Sequence, residues 1–165
     1  MSANAPPDCR MLALKHEIHD LVLRYWDDVD TRWGADAHNF FTEDGVFVSE
    51  RTRLAGRAEI RSFYDWRRGR GDRVARHIVN NARVAIEEEN RARISYLMTI
   101  HAADGVPVLP VTSPNLIADV TETLVRRDGA WLIEEKAFRT LFKGDVPVTA
   151  MPADVLAAAR AGAKE

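Results

Sequence analysis

The sequence predicts a single α+β domain in which helices precede a curved antiparallel sheet. Apolar residues in the first seventy positions recur at three- and four-residue steps, which is the periodicity of amphipathic helices. From residue 74 onward the chain shows successive segments rich in β-branched residues, separated by polar turns. A run of helices followed by a run of strands is typical of the α+β class.

Three helices are predicted ahead of the sheet. The first ends near Asp30 and has an apolar stripe made of Leu14, Ile18, Leu21, Val22, Tyr25 and Val29. A short second helix follows Gly34, and Gly56 opens a third. One face of the second helix carries Ala37, Phe40 and Phe41, and one face of the third carries Ile60, Phe63, Tyr64 and Arg67. Between these two helices, "TEDGVFVSE" predicts a turn and a short strand.

Four strands are predicted to follow, over residues 74–86, 92–102, 116–127 and 131–142. The last two are separated by Asp128-Gly129, a pair that can adopt the positive φ of a tight hairpin turn. Polar residues at 87–90, "EEEN", predict the reversal between the first two strands. The sequence therefore predicts an antiparallel meander.

The first of these strands contains a conflict of parity. Simple alternation places His77 and Val79 on the face opposite to Val84 and Ile86. A bulge at Asn80-Asn81 would reconcile an inward His77 with a buried continuation of the strand. Such bulges also let a sheet curve, so we expect one here.

Composition limits the classes of function. The 165 residues are 46% hydrophobic and 29% charged, which fits one globular domain, and the net charge of −2 does not favour nucleic acid or an anionic membrane as partner. The single cysteine, Cys9, supports neither a disulfide framework nor a cysteine-based zinc site. An apolar signal core and a membrane-spanning run are both lacking, so we expect a cytoplasmic protein. The expected organisation is a flexible arm over residues 1–10, the domain over 11–145, and a tail with a short helix over 146–165.

Four segments resemble a known family. They are "LVLRYWDDVDTRWGADAHNFFTEDGVFVSE", "GRAEIRSFY", "RHIVNNARVAIEEENRARISYLMTIH" and "ETLVRRDGAWLIEEKAF". Together they resemble the SnoaL-like branch of the nuclear transport factor 2-like superfamily, over roughly residues 14–142. Within it, the layout is most similar to scytalone dehydratase-like proteins. The resemblance implies a cone-shaped α+β barrel, with the N-terminal helices packed in a curved antiparallel or mixed sheet.

The resemblance also implies a catalytic pair. In the family, an aspartate at the end of the first helix pairs with a histidine at the entrance of a strand, and Asp30 and His77 match those positions. His101 matches a second active-site histidine of scytalone dehydratase. Two tyrosines that polarise the substrate carbonyl in that enzyme fall instead near Val29 and Ser49, so scytalone is not the expected substrate.

The chemistry of the pair suits proton abstraction beside a carbonyl. Histidine titrates near neutral pH, and a buried aspartate fixes its tautomer and stabilises the imidazolium. His101 shares a strand face with Leu97 and Thr99, which suits a cavity wall. The alternatives are that Asp30 caps a helix or turn, that His77 is a satisfied wall residue, and that His101 is exposed at a strand end.

Further positions are predicted to contact substrate: Tyr25, Trp26, Val29, Phe40, Ser49, Tyr64, Asp119 and Thr121. An inward carboxylate at Asp119 would be a second acid/base group, whereas Asp27 and Asp28 are expected to face solvent. An arginine run could steer an anionic substrate, although a solvated helix end and loop is the favoured interpretation: Arg67, Arg68, Arg70, Arg73 and Arg76. The sequence has no tight His/Glu spacing typical of a metal site, so neither metal nor other cofactor is expected.

Three functions remain in view. The first is a cofactor-independent lyase or isomerase that acts on a small hydrophobic or cyclic hydroxy-ketone. The second is a non-catalytic subunit resembling the small subunits of ring-hydroxylating dioxygenases. The third is a module that only binds a hydrophobic ligand. In each case we expect a homodimer or homotrimer that covers the outer face of the sheet between residues 92 and 142.

Overall fold

The computed structural model describes residues 9–50, 52–111, 113–144 and 151–162. Within them the elements follow one another in the order α1 (Cys9–Thr31), a 3₁₀ turn (Ala37–Phe40), β1 (Phe41–Val48), β2 (Arg53–Ala55), α2 (Arg57–Arg68), β3 (Arg73–Glu88), β4 (Arg91–Asp104), β5 (Leu116–Arg127), β6 (Ala130–Lys143) and α3 (Ala153–Gly162). The four predicted strands correspond to β3 to β6. The predicted order, in which α1 and α2 precede the four-strand meander, is therefore confirmed.

The six strands form one mixed sheet in the order β2-β1-β6-β5-β4-β3. β1 runs parallel to β6, and the other neighbouring strands are antiparallel. The sheet curves around α1, and its inner face, the face turned toward α1, encloses the hydrophobic core. This arrangement confirms the predicted cone-shaped α+β fold.

Helix α1 supplies the centre of that core. Its predicted apolar stripe is buried, and Ile18, Val22 and Tyr25 have no exposed surface. The chain then reverses through two residues with positive φ, Trp33 at 62° and Gly34 at 74°. A side chain at position 34 would collide with the ring of Tyr64, so this turn requires glycine for both its conformation and its space.

Strand β3 contains the predicted bulge. Asn80 pairs with Leu97 and Arg83 pairs with Ser95, so β3 has one residue more than β4 between these pairs. Asn81 has a φ of 53°, a conformation that asparagine tolerates. On the inner face, Ala75, His77 and Val79 are followed after the bulge by Ala82, Val84 and Ile86. The bulge thus reconciles an inward His77 with an inward second half of the strand, as predicted.

Three local details can be compared with the sequence-based expectation. The hairpin turn at Asp128-Gly129 is present, with φ values of 52° and 81°. The second predicted helix is only a 3₁₀ turn, because Phe41 leaves it and begins β1. The short strand β2, which pairs with β1, was not predicted.

The first and last elements of the described structure are helices. Of the predicted arm, residues 1–8 lie outside the described residues, and Cys9 and Arg10 are the first two residues of α1. The predicted tail helix is α3, and Arg160 in it binds Glu59 of α2 and the carbonyl of Arg53. Across the described segments, each helix is too short or too polar to cross a membrane.

Candidate active site

Asp30 and His77 meet where the end of α1 reaches the inner face of β3. The Oδ1 atom of Asp30 lies 2.5 Å from Nδ1 of His77, and its Oδ2 accepts a hydrogen bond of 2.7 Å from the backbone N–H of His77. The two side chains are only 9% and 6% exposed. One carboxylate therefore fixes both the ring and the strand that carries it. An ionised carboxylate can only accept hydrogen bonds, so Nδ1 carries the proton and Nε2 of the neutral ring is the basic nitrogen.

Burial sets the protonation state of His77. It lowers the pKa of the imidazole below its ordinary value of 6.5, although the hydrogen bond and the charge of Asp30 act in the opposite direction. Arg67 and Lys136 add smaller effects that also lower the pKa. At neutral pH the ring is therefore uncharged and able to accept a proton.

A chain of buried, hydrogen-bonded side chains supports the ring of His77. Trp26 stacks on it at 4.1 Å between ring centroids and donates its Nε1 hydrogen to the Tyr96 hydroxyl over 3.0 Å. Tyr96 in turn donates to Glu122 over 2.6 Å. The imidazole is thus held on one face by the indole and at its Nδ1 edge by the Asp30 carboxylate.

Lys136 completes this buried chain. Its Nζ donates to Glu122 over 2.7 Å and lies 3.7 Å from the ring centroid of Tyr25 and 4.3 Å from that of Trp26. Both members of the ion pair are completely buried. Burial lowers the pKa of the Lys136 ammonium to about 8, against the opposing attraction of Glu122.

His77 forms part of the wall of a cavity between α1, α2 and the inner face of the sheet. The cavity has a volume of about 190 Å³. Its apolar wall includes Trp26, Phe47, Phe63, Met98, Ile100 and Phe138, and its polar wall includes Ser49, Thr52, Tyr64, Arg67, Arg73 and Asn115. A basic nitrogen in the wall of a mostly apolar, partly open cavity is an environment suited to proton abstraction from carbon.

The other predicted substrate contacts divide into two groups. Ser49 and Tyr64, like Trp26, line the cavity. Tyr25 and Val29 do not, because they are buried behind it in the core, where the Tyr25 hydroxyl is hydrogen-bonded to that of Tyr64. Phe40 packs edge-on against Tyr25 and lines a separate surface depression.

His101 does not reach the cavity. The inner positions of β4 are Met98, Ile100 and Ala102, which line it, and His101 lies between two of them on the outer face. The alternation of the strand was predicted correctly, but the cavity lies on the opposite face from the one expected. The expectation that His101 opens on this cavity is therefore wrong.

The same correction applies to Asp119 and Thr121 on β5. Both lie on the outer face, and Asp119 forms an ion pair there with Arg139 of β6. The inward carboxylate of this strand is Glu122. Asp28, expected in solvent, is buried and accepts a hydrogen bond of 3.0 Å from the backbone of Asp36.

Several residues of the site were not predicted as such. Glu122 and Lys136 form the buried ion pair, Asn115 lies at the cavity wall, and Arg67 and Arg73, interpreted as solvated, also line the cavity. Among the described residues, no group of three or more His, Cys, Asp or Glu side chains is placed to hold a metal ion.

Known proteins share this fold. A protein from Novosphingobium aromaticivorans, provisionally named scytalone dehydratase, superposes with a TM-score of 0.73 at 18% identity over 85% of this chain and 92% of its own. A variant of Rv3472 from Mycobacterium tuberculosis, a protein of unknown function, gives 0.69 at 22% identity over 91% and 96%. ActVI-ORFA from Streptomyces coelicolor gives 0.66 at 18% identity over 78% and 97%.

These structural similarities concern the fold, and the family follows from the sequence. No curated protein sequence matches the chain significantly. The family model described as a SnoaL-like domain, however, matches residues 10–137, which is most of the chain. The chain therefore belongs to the SnoaL-like family.

Proposed function

We propose that this chain is a cofactor-independent lyase of the dehydratase kind, or a related isomerase, that acts on a small cyclic hydroxy-ketone. One observation carries the proposal. The neutral His77 ring, held by Asp30 through Nδ1, lies in the wall of a partly open and mostly apolar cavity. This is the arrangement of a general base with its orienting carboxylate.

The proposed reaction begins at Nε2 of His77. This nitrogen removes the proton from the carbon next to the substrate carbonyl, and the C–H electron pair forms an enolate. Asp30 stabilises the resulting imidazolium. The enolate then re-forms the carbonyl. A double bond forms between the α and β carbons, and the bond between the β carbon and its hydroxyl oxygen breaks. The imidazolium returns its proton to the departing hydroxide, which leaves as water. In an isomerase the same proton would return to a different carbon.

Tyr64 is the proposed donor to the substrate carbonyl. Burial raises the pKa of its hydroxyl to about 12, so it stays protonated at physiological pH. The hydroxyl is backed by that of Tyr25, which is itself buried behind the cavity. Tyr64 would thus supply a hydroxyl of the kind that the resemblance does not find at Val29 and Ser49. A hydrogen bond to the oxygen strengthens as negative charge develops there.

The test is turnover of a panel of cyclic hydroxy-ketones by three variants. Asp30→Asn and His77→Gln should each lower the rate by roughly 10² or more, the typical worth of a positioned acid/base group. His101→Gln is the matched control, because it makes the same change on the outer face and should leave the rate unaltered. Binding of the panel without turnover by the wild-type chain would favour a ligand-binding module instead.

A further inference from the structure

The cavity wall carries more positive than negative charge. Arg67, Arg73 and Lys143 line it, whereas the one acidic side chain among the described lining residues is Glu50, which is exposed. Arg67 has no ion-pair partner among the described residues. Arg73 is bound through Nη1 to Asp104 at 2.5 Å, and that carboxylate is 80% exposed. A cation in the wall of a cleft attracts an anion more strongly than one in open solvent.

The unpaired polar atoms of this wall are all hydrogen-bond donors. Nε of Arg67, Nε of Arg73 and Nδ2 of Asn115 are each buried without a hydrogen-bond partner in the structure. The amide oxygen of Asn115 is already engaged, because it accepts a hydrogen bond of 2.5 Å from the backbone of Ala102. Buried donors without acceptors are costly, so a ligand that supplies acceptor oxygens would satisfy them.

Arg73 lies away from the base, whereas Arg67 is near enough to His77 for its charge to lower the pKa of the ring. Arg73 and His77 share the inner face of β3 and are four residues apart, a separation of roughly 13 Å along the strand. Arg67 stands one helical turn after Tyr64 on α2, and both line the cavity. The cavity therefore has a basic, aromatic end at His77 and a cationic, donor-rich end at Arg73 and Asn115.

We infer that the natural ligand of this cavity carries a carboxylate, bound by Arg67 and Arg73 with Asn115 as a further donor. Guanidinium groups match the two oxygens of a carboxylate in geometry as well as charge. Combined with the proposed function, on which this step rests, the substrate class is a cyclic hydroxy-keto acid. Its acid group anchors the molecule at one end of the cavity and leaves the reacting carbon near His77.

The test is a binding measurement that does not depend on turnover. The probes are 2-naphthoate and 2-naphthamide, which have the same shape and differ in charge, and calorimetry gives the affinity of the full chain for each. The wild type should bind the carboxylate about tenfold more tightly or better. Arg67→Gln and Arg73→Gln should each remove most of that preference while changing amide binding by less than about threefold.

Arg83→Gln is the matched control, since Arg83 is exposed on the same strand as Arg73 and the charge change is identical. Arg67→Lys keeps the charge and should retain part of the preference, and melting curves establish that each variant is folded. Equal affinity for the two probes, no naphthoate binding by the wild type at about 5 mM, or indifference to both arginine changes would overturn the inference.

The outcomes separate this inference from the proposed function. His77→Gln should keep the preference for the carboxylate, because His77 is not part of the anion site. Preference without turnover of any hydroxy-keto acid would refute the catalytic proposal and leave the anion site standing. Turnover of neutral hydroxy-ketones, with no carboxylate preference, would refute the anion site alone.

Discussion

Removal of the Lys136 ammonium tests the buried polar chain beneath the active site. Lys136→Met replaces the side chain with an apolar one of similar length and leaves Glu122 without its cation. Both partners are completely buried and lie 2.7 Å apart, so water cannot solvate the remaining carboxylate. Breaking such a pair costs about 3–5 kcal/mol, a large part of the 5–15 kcal/mol that stabilises a typical domain. For a chain of this size, we expect the melting temperature to fall by about 6–20 °C.

A second change distinguishes loss of the charge pair from loss of packing. Adding Glu122→Gln to Lys136→Met removes the stranded charge while keeping an acceptor for the Tyr96 hydroxyl. The double variant should therefore recover about 2 kcal/mol or more relative to Lys136→Met alone. Lys143→Met, on the exposed end of the same strand, is the control and should change stability by less than about 0.5 kcal/mol.

Urea unfolding followed by tryptophan fluorescence measures these free energies. The reasoning is refuted if Lys136→Met costs no more than Lys143→Met. It is also refuted if the double variant is less stable than Lys136→Met, because the pair would then not be the source of the loss.

Three further predictions follow from the structure. Because burial holds the pKa of His77 below 6.5, the unfolded chain binds a proton there that the folded chain does not, so stability should fall as the pH drops below about 6.5. Urea titrations between about pH 5 and 7.5 should show this slope in the wild type and a shallower one in His77→Gln, where the lowered pKa of His38 still contributes; parallel curves would contradict it. Light scattering at micromolar concentration should show a homodimer or homotrimer. Phe142→Asp, at a side chain 67% exposed, should weaken the association of the subunits about tenfold or more. A wild-type monomer would disprove this. Gly34→Ala should destabilise the chain by more than the roughly 1–3 kcal/mol of its positive φ, because the new methyl meets Tyr64; Gly71→Ala, which meets nothing, should show the conformational cost alone.

Local pattern was sufficient to predict much of the fold. The spacing of apolar residues in α1 and the alternation in β3 to β6 are direct consequences of helix and strand geometry. Even the bulge could be predicted, because His77 and Val84 can share the inner face only if one extra residue lies between them.

The choice of face could not be predicted in the same way. Alternation divides β4 into two sets, but His101, Leu97 and Thr99 form a mixed set that suits either a cavity wall or an outer surface. The packing of α1 against the sheet decides the question, and that is a tertiary contact. The assignments of His101, Asp119 and Thr121 failed for this common reason.

The buried ion pair shows two kinds of missed signal. Glu122 lies at alternate positions with Val120 and Leu124, so a count of parity along β5 places it inward. Lys136 has no such signal, because β6 has one residue more than β5 between Ile133 and Glu135, and this irregularity reverses its parity. Pairing between strands fixes that position, and the sequence of one strand does not contain it.

The most direct test of the central claim, that His77 is a general base, is the pH dependence of proton exchange. The chain is incubated in D₂O with a cyclic ketone, and NMR follows loss of the hydrogen next to the carbonyl. The rate should rise with pH to a plateau, with a midpoint below 6.5 because burial lowers the pKa of His77. In His77→Gln it should fall by roughly 10² or more, with stability changed by only about 1 kcal/mol. Exchange that stays at the wild-type rate in folded His77→Gln would contradict the account.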